Sequence, residues 1–115
     1  MATFTKVKLS GSTNGRGIAV AATATLGTTI HAAHATALDE IWLYANNIHS
    51  SAVVLTVEFG GVTVTSDLIQ TSIAATPSGL VLICAGLLVT GSVVVTAFAG
   101  TASKIELFGF VNRIA

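Results

Sequence analysis

Five carboxylates, three histidines and one cysteine are the side chains through which this sequence would do chemistry. Their spacing fits none of the usual arrangements. Asp39 and Glu40 are adjacent at the start of an apolar alternating stretch. Neighbours on a strand point to opposite faces, so the two cannot work as an acid–base pair. They are expected to be charges that protect a strand edge. Glu58, Asp67 and Glu106 stand alone. His31 and His34 are three positions apart, which on a strand again means opposite faces and no shared metal within one chain. His49 lies in a polar turn, and a histidine repeated around a symmetry axis is the one route to a metal between subunits. No serine stands in the Gly-x-Ser-x-Gly context of a nucleophile elbow. Cys84, in the run LVLICAG, has no charged neighbour to lower its pKa and reads as a small buried hydrophobe. The loop SGSTNGRG, residues 10–17, lacks the Gly-Lys-Ser/Thr ending of a phosphate loop, and a β-like segment follows it instead of a helix. No catalytic residue, cofactor or metal ion is expected, and the chain does not read as an enzyme.

The elements that would position these residues are strands. The stretch from Asp39 to Phe59, DEIWLYANNIHSSAVVLTVEF, reads as a hairpin. In its first strand Ile41, Leu43 and Ala45 share one face, and Trp42, Tyr44 and Asn46 the other. In its second, Val53, Leu55, Val57 and Phe59 oppose Val54, Thr56 and Glu58. Asn46-Asn47 and His49-Ser50-Ser51 supply turn chemistry between the two. Further strands are expected over 3–9, 18–25, 28–33, 67–73, 80–85, 87–89, 92–98 and 104–111, with 62–64 a short strand or a continuation. Gly86, Thr90-Gly91 and Gly100 punctuate the later ones, and Ala74–Gly79, with the only proline, is a turn. Strands at this spacing, with glycine-rich turns and no helical period, indicate an all-β sandwich or barrel.

Composition narrows the function. At 115 residues the chain is expected to form one domain, residues 1–115. Charged residues make up only 9%, against roughly 25% in ordinary soluble domains. The five basic and five acidic residues cancel, which removes the electrostatic footprint of a nucleic-acid binder. The opening MATFTKVKLSG holds no apolar core of signal-peptide length, so no secretory leader is expected. Gly79 to Gly100 has no charge and the length of a membrane helix. Gly79, Gly86 and Gly91, the VVVT run and the absence of flanking Lys/Arg clusters and aromatic belts favour strands over a span.

Several strands are apolar on both faces. Leu80, Leu82 and Cys84 oppose Val81 and Ile83; Val93, Val95 and Ala97 oppose Val94, Thr96 and Phe98; Ile105 and Leu107 oppose Glu106, Phe108 and Phe110. A lone sandwich wets one face of each sheet, so a second covering is required. Burying several hundred Å² of apolar surface contributes on the order of 10 kcal/mol per subunit before entropy costs. A homo-oligomer or docking on a larger protein lattice provides it. Trp42, Tyr44, Val94, Thr96, Phe98, Phe108 and Phe110 are the core or interface candidates.

The phrases KLSGSTNGRGI, DEIWLYANNIHSSAVVLTVEFGG and SGLVL…AGLLV…SVVVTAFAGTASKIELFGFVNRI, with the total length, resemble small virion structural proteins of tailed bacteriophages, closest to head decoration (cement) proteins. The resemblance covers nearly the whole chain but carries no motif from which site residues transfer. It implies an antiparallel β-sandwich of jelly-roll type with about eight strands and no enzyme activity. It also implies a homotrimer that binds the outer capsid and stabilises the shell, with the major capsid protein as partner. A tail, fibre or baseplate component is the neighbouring reading. A carbohydrate-binding module is the rival from another class: it would use Trp42 and Tyr44, two residues apart on one strand face, as a stacking platform. The favoured expectation places both rings in the core.

Overall fold

The computed structural model describes residues 2–115. Its spine is the pairing of two ten-residue strands, β4 (Leu38–Asn47) and β9 (Ile105–Ile114). They run antiparallel in unbroken register from Leu38↔Ile114 to Asn47↔Ile105. Alternation drives both. Ile41, Leu43 and Ala45 on β4 are fully buried, as are Ile105, Leu107 and Val111 on β9, and the residues between them face outward. Such strands gain stability by packing one pleated face against a core.

Seven more strands complete two antiparallel sheets: β1 (Phe4–Lys8), β2 (Ile18–Ala19), β3 (Thr28–Ala32), β5 (Val53–Phe59), β6 (Leu68–Ile73), β7 (Val81–Val89) and β8 (Val94–Ala99). The first sheet has the order β1-β9-β4-β7, with the short β2 also on β9. The second has the order β3-β8-β5-β6. Between them lies one core, to which the second sheet contributes Ile30, Val53, Leu55, Val57, Ile73, Val95, Ala97 and Ala99. The molecule is an all-β, helix-free sandwich among the described residues.

The expected hairpin between Asp39 and Phe59 does not form. β4 and β5 belong to different sheets and pair with other strands. Each carries one apolar face, and the two faces meet across the core. The polar stretch between them builds a corner. The amide of the buried Asn47 side chain donates to the carbonyls of Ser51, Ile73 and Ala74 (each 3.1 Å), and its oxygen accepts from the His49 N–H (2.8 Å). Only β5 and β6 are consecutive strands that pair with each other.

Three further expectations change. Only Ile18–Ala19 of residues 18–25 is strand, and 62–64 is not strand. Gly86 lies inside β7 and does not end it. With φ of 75° it takes the backbone conformation a side chain disfavours, and the β4–β7 register shifts across it and again across Ile83. These are β-bulges, which add a residue and twist the strand. The uncharged stretch 79–100 forms β7 and β8, and among the described residues no helix is long and apolar enough to cross a membrane.

Candidate docking face

The outer face of the first sheet carries an aromatic block. Trp42 pairs with Phe110 and Tyr44 with Phe108 across β4 and β9, so four rings from two neighbouring strands share one surface. Trp42 and Phe110 stack with centroids 6.2 Å apart and planes inclined by 9°. Lys6 on β1 places its ammonium 4.9 Å from the Phe110 centroid, in cation–π contact. All four rings are half-buried. Trp42 and Tyr44 are therefore not core residues. The period-two alternation of β4 gives the core to Ile41, Leu43 and Ala45 and turns the rings outward.

β7 extends this face with aliphatic side chains. Leu82, Ala85 and Leu88 lie beside Tyr44, Trp42 and Glu40 in register. Leu82 is 52% and Leu88 56% exposed. In a regular strand a spacing of three alternates faces. The bulged residues Ile83 and Gly86 absorb the difference and bring all three to one side.

Polar pairs close both ends of the block. At one end the Asn112 amide (3.0 Å) and the Trp42 indole N–H (2.9 Å) both donate to Glu40 Oε1. These bonds, Asn112 first, hold the Glu40 carboxyl below its ordinary pKa. At the other end Asn46 donates to Glu106 Oε1 (3.1 Å).

The chain itself covers part of the second sheet's outer face, where Val54 (46%) and Val94 (39%) stay exposed. Glu58, on β5, is completely buried there without a cation. Its Oε1 accepts from the Gly27 N–H (2.8 Å) and the Thr96 hydroxyl (2.7 Å), and its Oε2 from the Thr25 hydroxyl. Burial pushes this carboxyl's pKa up; the bonds from Thr25, Thr96 and Gly27 outweigh it and leave the value lowered. The segment before β3 is thus strapped across the sheet. Gly27 permits the approach, since a Cβ there would stand 2.3 Å from the Ala97 oxygen. Thr56 is also buried, with Gln70 donating to its hydroxyl (3.1 Å). Of the candidates on β8, Thr96 is buried under this strap, Phe98 is half-buried and Val94 is exposed. Val95 is in the core.

The titratable groups gather elsewhere. Asp39 is buried on the central strand β4, not exposed on an edge, so the edge-protection expectation fails for it. Arg113 grips it with two bonds (2.8 and 3.0 Å), and the ring of the buried His31 lies 2.8 Å from its Oδ2. The Arg113 hydrogen bonds, opposed by burial and aided by His31, lower the Asp39 pKa to about 2. Ser10, His31 and Asp39 are the residue types of a nucleophilic triad, but the Ser10 backbone N–H donates to His31 Nδ1 (3.0 Å). That bond leaves Nε2 as the donor to Asp39, and both ring nitrogens are engaged. The Ser10 hydroxyl instead accepts from the Ala32 N–H (2.7 Å). His34 and His49 cap their own loops, accepting backbone N–H bonds from Ala37 (2.9 Å) and Ser51 (3.0 Å). No group of three or more His, Cys, Asp or Glu is placed to hold a metal among the described residues. Cys84 is buried, and burial pushes its thiol up to about 11.

No protein-family model, no curated protein and no solved structure matches this chain.

Proposed function

We propose that this chain is a non-enzymatic virion structural protein, a head decoration or cement protein, which docks on the outer capsid through the outer face of its first sheet and stabilises the shell. The observation that carries the proposal is the asymmetry of the sandwich. The chain's own strap covers the middle of one outer face around Glu58 and Thr96, while the other presents Trp42, Tyr44, Phe108 and Phe110 beside the exposed Leu82 and Leu88. Interfaces draw much of their energy from such aromatic clusters set in a polar rim. Here Glu40, Asn112, Asn46, Glu106 and Lys6 form the rim. Net charge of zero supports a protein partner over nucleic acid. Leaving β1 aside, eight strands lie four to a sheet and the chain crosses between sheets at most connections, which supports the jelly-roll form of the sandwich. A tail, fibre or baseplate surface would use the same face.

The test is to mix the purified protein with expanded heads of the phage whose structural genes include it. Added mass on sedimentation and a raised shell melting temperature are expected. Absence of binding to the head would overturn the decoration reading.

A second reading draws on the same block. Polar pairs at both ends of an aromatic platform are the arrangement that holds a sugar ring. Saturable quenching of Trp42 emission by a mono- or oligosaccharide would favour a carbohydrate-binding module.

A further inference from the structure

We propose that a second copy of this chain docks along β7, antiparallel and related by a two-fold axis at Ala85, so that the first sheets of two subunits run on into one another. This goes beyond shell docking and does not depend on it.

Sheet edges offer unpaired N–H and C=O groups to any extended partner, and proteins usually blunt them. Three edge strands here are blunted. β1 carries the exposed Lys6 and Lys8. β3 is covered by the loop between β1 and β2: the Ala32 N–H bonds the Ser10 hydroxyl, and the Gly11 N–H bonds the Ile30 carbonyl (2.9 Å). β6 carries the exposed Gln70 and Ser72. β7 differs. Its nine residues, VLICAGLLV, include no charged, amide or hydroxyl side chain and no proline. Among the described residues, its backbone pairs with β4 alone.

The occupant follows from the order of side chains. Read outward from Ala85, Cys84 faces Gly86, Ile83 faces Leu87, Leu82 faces Leu88, and Val81 faces Val89. The strand is thus nearly its own reverse in size and polarity. An antiparallel two-fold contact places those residues opposite one another, and an isologous interface requires such self-complementarity. Bulges are themselves an edge-blunting device. Here they set Leu82, Ala85 and Leu88 at equal intervals on one face, a row symmetric about the same residue. A groove of about 280 Å³ lies at the Val89 end of this edge, between Leu87, Leu88 and Val89 on one side and Phe59, Ser66, Asp67, Leu68 and Ile69 on the other. Zero net charge leaves no long-range repulsion between copies. The contact is two-fold, in place of the trimer that the phage resemblance implies.

Sedimentation and oxidative cross-linking test the proposal together. The wild type is expected to sediment as a dimer at micromolar concentration. Leu82→Lys and Leu88→Lys are expected to weaken the dimer by about tenfold or more with an unchanged β circular dichroism spectrum, since both positions are exposed. Ala85→Cys reads the register. Directly opposed residues on antiparallel strands have Cα atoms about 4.5–5.5 Å apart, within disulfide reach, so mild oxidation is expected to link two Ala85→Cys chains. Wild type, with Cys84 buried, and Thr5→Cys on β1 are expected to stay unlinked. A wild type that is monomeric at high micromolar concentration, or trimeric, overturns the proposal. So does a dimer in which Ala85→Cys fails to link. A monomer that still binds heads would remove the β7 contact and leave the docking reading intact.

Discussion

The two outer faces of this sandwich are built from the same raw material and finished differently. Both belong to sheets that are apolar beyond the needs of the shared core. On the second sheet the chain supplies a partial cover: the strap ending at Gly27 is bonded to the buried Glu58 carboxylate, which also accepts from Thr96. On the first sheet the rings of Trp42, Tyr44, Phe108 and Phe110 stay half-buried, with the Lys6 ammonium 4.9 Å from the Phe110 centroid. A surplus apolar face can be satisfied within the subunit or by a partner, and under the docking proposal this molecule does one on each side.

The largest expected effect comes from confusing the core with a face. Val95→Asp buries an unpaired carboxylate in the core and is expected to cost more than about 4 kcal/mol, leaving the domain unfolded by circular dichroism. Glu58→Ala strips the acceptor from Thr25, Gly27 and Thr96. Unsatisfied buried donors cost about 1–3 kcal/mol each, and partial rescue by water leaves an expected loss on the order of 3 kcal/mol in urea unfolding. If Glu58 is the latch, amide hydrogen exchange at Gly27 also speeds up in the variant, because its N–H loses the carboxylate acceptor.

Asp39 gives the pH dependence. Its folded pKa, about 2, lies below the unfolded value of roughly 3.9. The stabilisation from this group is therefore complete above about pH 5 and is lost as pH falls toward 2, a change on the order of 2 kcal/mol. Asp39→Asn is expected to flatten the stability profile over that window. An unchanged acid limb in the variant would show that other carboxylates carry it.

Smaller changes separate stability from docking. Trp42→Ala is expected to cost about 1–2 kcal/mol, less than the 3–5 kcal/mol of a fully buried aromatic, because the ring is half-exposed. Its effect on head binding is expected to exceed its effect on folding. Val94→Asp, on the opposite face, is expected to change stability by less than about 0.5 kcal/mol and to leave head binding as it was. Reversed effects of these two substitutions on binding would exchange the roles of the faces.

Much of this was legible in the sequence. The alternation over Ile41–Asn46 and Val53–Phe59 correctly separates the residues of each strand into two faces, and the doubled apolar faces call for a second covering. Alternation does not say which face is core, and the expectation that places Trp42 and Tyr44 in the core, in preference to an exposed stacking platform, picks the wrong face. The corner at Asn47 has the composition of a hairpin turn. Its distinguishing bonds to Ile73 and Ala74 join residues far apart in the chain. The strap on Glu58 is hidden for the same reason, since Thr25 lies 33 positions away. The face of Leu82, Ala85 and Leu88 escapes a period-two reading because two bulges break the period.

Trp42 is the only tryptophan in the chain, so its fluorescence reports on the open face alone. Emission and acrylamide quenching should be followed as the protein is titrated with expanded phage heads, with bound mass measured in the same samples. The expected result is a blue shift and loss of quencher access that saturate together with bound mass. Heads that take up the protein while Trp42 stays accessible to quencher would contradict the assignment of this face as the docking surface.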